Sequence, residues 1–187
     1  MLLTANIQTC KPEGITLPAD LNVRYNDLQT VKARQIFVLS FWLKTCLADL
    51  LGLTEYAIVY NAYGKPYITF KSGLCNFSLA HHDDAVFLYY DDNQPVGLDV
   101  LNVKKVKLSS FTCDYFSPEE QAYAQDGLTF CQVWLAKEAY GKLQGRGLYP
   151  ELRGVNLLPL WSGGFTFLVY GEYTLCLVKN PYNKLAD

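Results

Sequence analysis

Apolar positions along this chain recur with two periods, and the two periods mark out its elements. From Leu28 to Leu51 the apolar spacing is helical and the run stops at Gly52, which predicts an amphipathic helix. "AIVYN" and "PYITF" read as short strands joined by the turn "AYGKP". After Lys71-Ser72-Gly73 comes "CNFSLAHHDD", then a strongly apolar strand, "AVFLYY" (Ala85 to Tyr90), then "DDNQP", a turn by composition. In "VGLDVLNVKKVKL", Val96, Leu98 and Val100 alternate with Gly97, Asp99 and Leu101, which predicts a further strand. A long helix is expected from Pro118 to about Gly145, and "FTFLVYGEYTLCLV" reads as a hairpin turning at Gly171-Glu172. Helices mixed with antiparallel hairpins predict an α+β fold rather than a doubly wound sheet. The order helix-then-strands occurs twice around a break near "DDNQP". Two halves, 1–92 and 93–187, are therefore expected from element order alone, since no sequence repeat is visible.

Composition narrows the possibilities. Half of the 187 residues are hydrophobic, with 14 tyrosines and 10 phenylalanines, so a sizeable core is available. The net charge is -2 without a long basic or acidic run, which argues against nucleic acid as the main partner. The six cysteines, at 10, 46, 75, 113, 131 and 176, form no CxxC pair and are expected to be free thiols of a reducing, cytoplasmic setting. "MLLTANIQTCKPEG" has neither the basic start nor the apolar stretch of a signal peptide. "IFVLSFWL" is too short to span a membrane, so no membrane partner is expected.

The chemistry begins with charges in apolar surroundings. In "WLAKEAYGK", Trp134, Glu138 and Lys142 share one helix face with Cys131 and Leu135, while Val133, Ala136, Tyr140 and Leu143 make the other side apolar. An i,i+4 pair of Glu138 with Lys142 would account for the charges structurally. Asp99 lies in an apolar strand and needs a cation or hydrogen-bond partner, although a carboxylate capping a strand end would also explain it. Two such acids from distant parts of the chain would suit a shared divalent cation, with Lys142 facing phosphate. "YGKP" alone is no more than a turn. The two histidines and two aspartates of "FSLAHHDD" point to alternate faces of a strand and cannot readily share one ion.

Taken in order, "YGKP", "FSLAH", "QPVGLDV", "YFSPEE" and "WLAKEAYGK" resemble the motifs of 4′-phosphopantetheinyl transferases. The likeness is to the longer, single-chain type with two fused halves, and it runs from Tyr63 to Lys142. W-x-x-K-E-A-x-x-K is its most specific element. The resemblance implies two similar α+β halves packed as a pseudo-dimer, with coenzyme A in the cleft between them. It implies transfer of the phosphopantetheine arm of coenzyme A to a serine of an apo acyl or peptidyl carrier protein, as in fatty acid or polyketide biosynthesis, with Mg2+ as cofactor. By position, Asp99 and Glu138 match the metal ligands and Lys142 the phosphate-contacting lysine. Glu120 falls where relatives have a glutamate proposed to activate the nucleophile. His81, Lys65, Pro66 and, more loosely, Arg34 match coenzyme A contacts. Many relatives carry a second acid two residues after the aspartate; here that position is Leu101, which cannot bind a metal and leaves room for a slow or degenerate enzyme. Lys104, Lys105 and Lys107 could meet an acidic carrier or simply form a solvated loop.

Overall fold

The computed structural model describes residues 1–10, 15–106 and 114–179. Its strands are β1 (Leu2–Asn6), β2 (Tyr56–Tyr60), β3 (Pro66–Phe70), β4 (Gly73–Cys75), β5 (Phe77–His82), β6 (Ala85–Tyr90), β7 (Val96–Leu101), β8 (Phe165–Tyr170) and β9 (Tyr173–Lys179). Its helices are α1 (Ala19–Asp27), α2 (Val31–Leu50), α3 (Pro118–Tyr123), α4 (Gly127–Leu143) and the short α5 (Trp161–Gly164). Among the described residues the strands form three three-stranded sheets, ordered β1-β6-β5, β2-β3-β4 and β7-β9-β8. Every pairing is antiparallel, so the α+β expectation holds.

The two central strands, β6 and β9, are buried on both faces over most of their length. In β6, Val86 and Leu88 turn toward Leu39, Leu43 and Leu47 of α2, while Ala85 and Phe87 turn toward Leu98 and Val100 of β7 and Leu175 and Leu177 of β9. In β9, Cys176 and Val178 turn the other way, onto Leu135, Ala136, Ala139 and Leu143 of α4. The layers therefore run α2, sheet β1-β6-β5, sheet β7-β9-β8, α4. With helices outside both sheets, neither inner strand needs a polar face. Full burial of each such Leu, Val or Phe contributes about 1.5–3 kcal/mol. Strand order repeats as well: an outer strand, a helix and a hairpin whose last strand is central occur as β1, α2, β5, β6 and as β7, α4, β8, β9.

Several expected boundaries move. The helix expected from Leu28 begins at Val31, where the Thr30 hydroxyl accepts from the Ala33 amide. The single helix expected from Pro118 to Gly145 is two. Ser117 and Glu120 form a capping box at the start of α3, and Asp126 with Thr129 forms another at the start of α4. The strand expected through Leu108 stops at Leu101, because the Asn102 side chain accepts from the Lys104 amide and tightens Val103–Lys105 into a 3-10 turn. Lys107, Leu108 and Cys113 lie outside the described residues. The other five cysteines are free thiols.

Candidate active site

Strand β7 has one face on the sheet β1-β6-β5 and the other on α4, so Gly97, Asp99 and Leu101 all point at the helix. A Cβ added at Gly97 would stand 1.9 Å from the Ala139 carbonyl oxygen and 2.8 Å from the Leu143 amide. Glycine is thus what lets α4 lie directly on the strand. Two residues on, the gap is filled by charge. Asp99 is only 8% exposed, and the Lys142 ammonium donates to its Oδ1 at 2.7 Å. Lys142 therefore pairs across the fold rather than with Glu138 one turn away. Leu101 packs against two apolar clusters, one including Leu135, Ala139 and Cys176 and the other Phe130, Cys131 and Val133, so the position where the resemblance would place a second acid is apolar here.

Glu138 is half-buried on the same helix face and has no hydrogen-bond partner among the described residues. Burial, then the charge of Asp99, pushes its carboxyl up to about 7, with Lys142 pulling the other way. Two carboxylates therefore share one lysine, and Glu138 stays under-compensated. The His81 ring, at the exposed end of β5, feels the same charges. Crowding by protein atoms holds its pKa below the usual histidine value, the Lys142 cation adds to this, and Asp99 opposes it. Across the β7–β9 pair, Cys176 faces Asp99, and its buried thiol is pushed well up, first by burial and then by that carboxylate.

Two cavities open onto the cluster. One, of about 210 Å³, is lined by Tyr63, Gly64, Lys65, Pro66, Ser78 and Lys142. The other, of about 600 Å³, is lined by Thr30, Lys32 and Phe37 from the start of α2 and by His81 and Asp83 from the end of β5. Lys65 reaches from the β2–β3 turn to donate to the carbonyls of Lys142 (2.7 Å), Val96 (3.3 Å) and Leu143 (3.4 Å). Asn61 of the same turn donates to the Gly145 carbonyl at 2.7 Å, so the turn is tied to the end of α4. Among the described residues no acid pairs with Lys65, and burial lowers its pKa to about 8. Arg34 stands aside: its Nε donates to the Leu28 carbonyl, its guanidinium lies over the Tyr25 ring, and it lines neither cavity. Lys105 pairs with Asp83 at 2.8 Å.

Glu120 is likewise outside the cluster. It is 1% exposed. Its Oε2 takes the Lys137 ammonium and the Ser117 amide, both at 2.8 Å, and its Oε1 takes the Leu157 amide at 2.9 Å. Lys137 also donates to the Val155 carbonyl. This buried pair, which sequence reasoning did not anticipate, fastens α3, α4 and the segment around Leu157 together. The only hint was that Lys137 sits on a helix turning apolar residues outward on nearly every side.

Among the described residues no group of three or more His, Cys, Asp and Glu side chains could hold a metal. The acid pair offers two carboxylates beside a cavity bearing two lysines, a donor set that suits a hard divalent ion completed by phosphate oxygens and water.

Comparison with known proteins bears on the same region. The family model of the 4′-phosphopantetheinyl transferase superfamily matches residues 95–183, a stretch holding Asp99, Glu138 and Lys142. The chain is also similar to 4′-phosphopantetheinyl transferase gsp of Aneurinibacillus migulanus, at 29% identity over 111 residues. That alignment covers 55% of this chain and 45% of the relative, so the chain spans less than half of the relative's length in the match.

Proposed function

We propose that this chain, a member of the 4′-phosphopantetheinyl transferase superfamily through its residues 95–183, moves the 4′-phosphopantetheine arm of coenzyme A onto a serine of an apo acyl or peptidyl carrier protein. The observation that carries this reading is the gathering of Asp99, Glu138, Lys142 and His81 where β7, α4 and β5 meet, beside a cavity holding Lys65. Halves 1–92 and 93–187 then form a pseudo-dimer, and coenzyme A lies in the cleft between them. Its phosphates meet Lys142, Lys65 and His81, with Pro66 against the nucleotide and Arg34 at the margin.

Asp99 and Glu138 are the side chains that would hold Mg2+, which would supply neutralisation of the pyrophosphate charge as it shifts toward the leaving group. The serine hydroxyl oxygen attacks the β-phosphorus, and its proton passes to water in the open site. The bond from that phosphorus to the bridging oxygen breaks, and adenosine 3′,5′-bisphosphate leaves with the electron pair. Lys142 meets the growing negative charge on the phosphate oxygens, and the buried walls of the site keep that interaction strong. Glu120 enters as a positioning residue: with both oxygens bound and no solvent contact, it fixes the helix that carries Glu138 and Lys142. The free thiols and the absence of any helix long and apolar enough to cross a membrane, among the described residues, are compatible with a cytoplasmic enzyme.

A second reading rests on Leu101. With no second acid after Asp99, the same fold would serve as a coenzyme A or carrier-binding module that no longer turns over. Transfer of a labelled pantetheine arm to a panel of apo carrier proteins, with and without Mg2+, decides between them. Mg2+-dependent labelling supports the transferase. Coenzyme A binding without labelling of any carrier supports the module.

A further inference from the structure

We infer that Lys142 is an ionic placeholder as well as a phosphate partner: it occupies Asp99 until an anion draws it away, so divalent cation and pyrophosphate bind in concert. This inference rests on the acid pair being the cation site. Three observations carry it. The Lys142 ammonium sits 2.7 Å from Asp99 Oδ1, on the very carboxylate an incoming ion needs. Lys142 is also one of the residues lining the cavity of about 210 Å³ that receives Lys65, so a second station lies next to it. Its backbone is pinned, because Lys65 donates to the Lys142 carbonyl at 2.7 Å. Only the flexible stem need move, and a lysine stem with its single mobile charge is suited to switching.

With Lys142 on Asp99, a divalent ion meets a neutralised oxygen and a like charge beside it. With a pyrophosphate in the cavity, the ammonium turns to phosphate and both carboxylates face the ion. By linkage the preference is mutual: each ligand favours the other by the same factor. A site built in this way would keep its acids from capturing a metal ion before coenzyme A arrives.

The test is Mn2+ binding to the full chain, followed by loss of the free-ion electron paramagnetic resonance signal, for wild type, K142M and K142R, with and without coenzyme A. Without coenzyme A, K142M should bind Mn2+ tighter than wild type by up to about fivefold, the scale expected for losing a partly exposed ion pair. K142R keeps the charge and should stay close to wild type. With coenzyme A, wild type should tighten and the gap to K142M should narrow. If wild type binds Mn2+ with coenzyme A but K142M binds no tighter than wild type without it, the placeholder is overturned while the acid pair stands. If no protein binds Mn2+ under either condition, the cation site fails and the inference with it. A gain in affinity is not an outcome that a damaged fold produces.

Discussion

Substituting Gly97 by alanine tests the link between packing and chemistry most sharply. The added methyl would lie 1.9 Å from the Ala139 carbonyl oxygen and 2.8 Å from the Leu143 amide. The first distance falls about 1.4 Å short of the roughly 3.3 Å at which a carbon meets a carbonyl oxygen comfortably. Both obstacles are helix backbone, so no side chain can rotate aside, and α4 must lift off β7. Overpacking of this kind costs about 1–3 kcal/mol of stability. The functional loss should be larger, because Ala139 adjoins Glu138 and the lift separates that carboxylate from Asp99. Misplacement by about 1 Å at a reacting centre can cost on the order of a hundredfold in rate. Urea unfolding gives the first quantity, and a pantetheine-transfer assay at saturating coenzyme A gives the second. Gly127→Ala is the internal control: it adds the same methyl at the start of the same helix, where nothing lies within 4 Å. It should leave transfer unchanged and stability equal or slightly higher. A Gly97→Ala protein matching wild type in both stability and turnover would refute the claim that close strand–helix contact sets the acid pair.

Other substitutions isolate single interactions. Lys137→Met leaves the Glu120 carboxylate buried with only two amides, and should cost about 3–5 kcal/mol in denaturant unfolding. Adding Glu120→Gln to it should recover part of that loss, whereas a double variant as unstable as the sum of the singles would argue against a direct pair. Glu138→Gln should abolish Mg2+-dependent transfer with little change in unfolding midpoint; activity near wild type would remove Glu138 from the reaction. Lys65 has a folded-state pKa lowered to about 8 from 10.5. Between those values the unfolded chain holds a proton that the folded chain has released, so the Lys65 contribution makes stability rise with pH across that window. If coenzyme A phosphate meets Lys65, binding near pH 9 restores the charge and takes up a proton. Calorimetry in buffers of different ionisation heat reads this uptake, which Lys65→Met should abolish, and proton release in its place would contradict the contact.

The sequence exposed some of this arrangement and hid the rest for physical reasons. The run Ala85 to Tyr90 and the second strand of the hairpin around Gly171-Glu172 were legible, because strands buried on both faces have no polar side to blur the pattern. Asp99 was conspicuous for the same reason: a carboxylate among core residues demands a partner. Its partner was not legible. Spacing on the helix pointed Lys142 to Glu138, while the fold turns it to Asp99, 43 residues away in sequence. The break between α3 and α4 was missed because helical periodicity continues through it; the Asp126-Gly127 pair carried the signal, as a cap followed by a flexible first helical residue. The first helix, ADLNVRYND, is too polar to show an apolar stripe, and β1 is too short to show an alternation. Glu120 was placed by motif position alone, and only tertiary packing shows Lys137, Ser117 and Leu157 consuming its carboxylate.

The most direct test of the central claim is a crystal of the full chain grown with Mn2+ and coenzyme A and measured at the manganese absorption edge. The account requires an anomalous peak bridging the Asp99 and Glu138 carboxylates and the coenzyme A pyrophosphate, with Lys142 on phosphate. A peak elsewhere, or a bound coenzyme A with the two carboxylates turned apart and no metal between them, would contradict it.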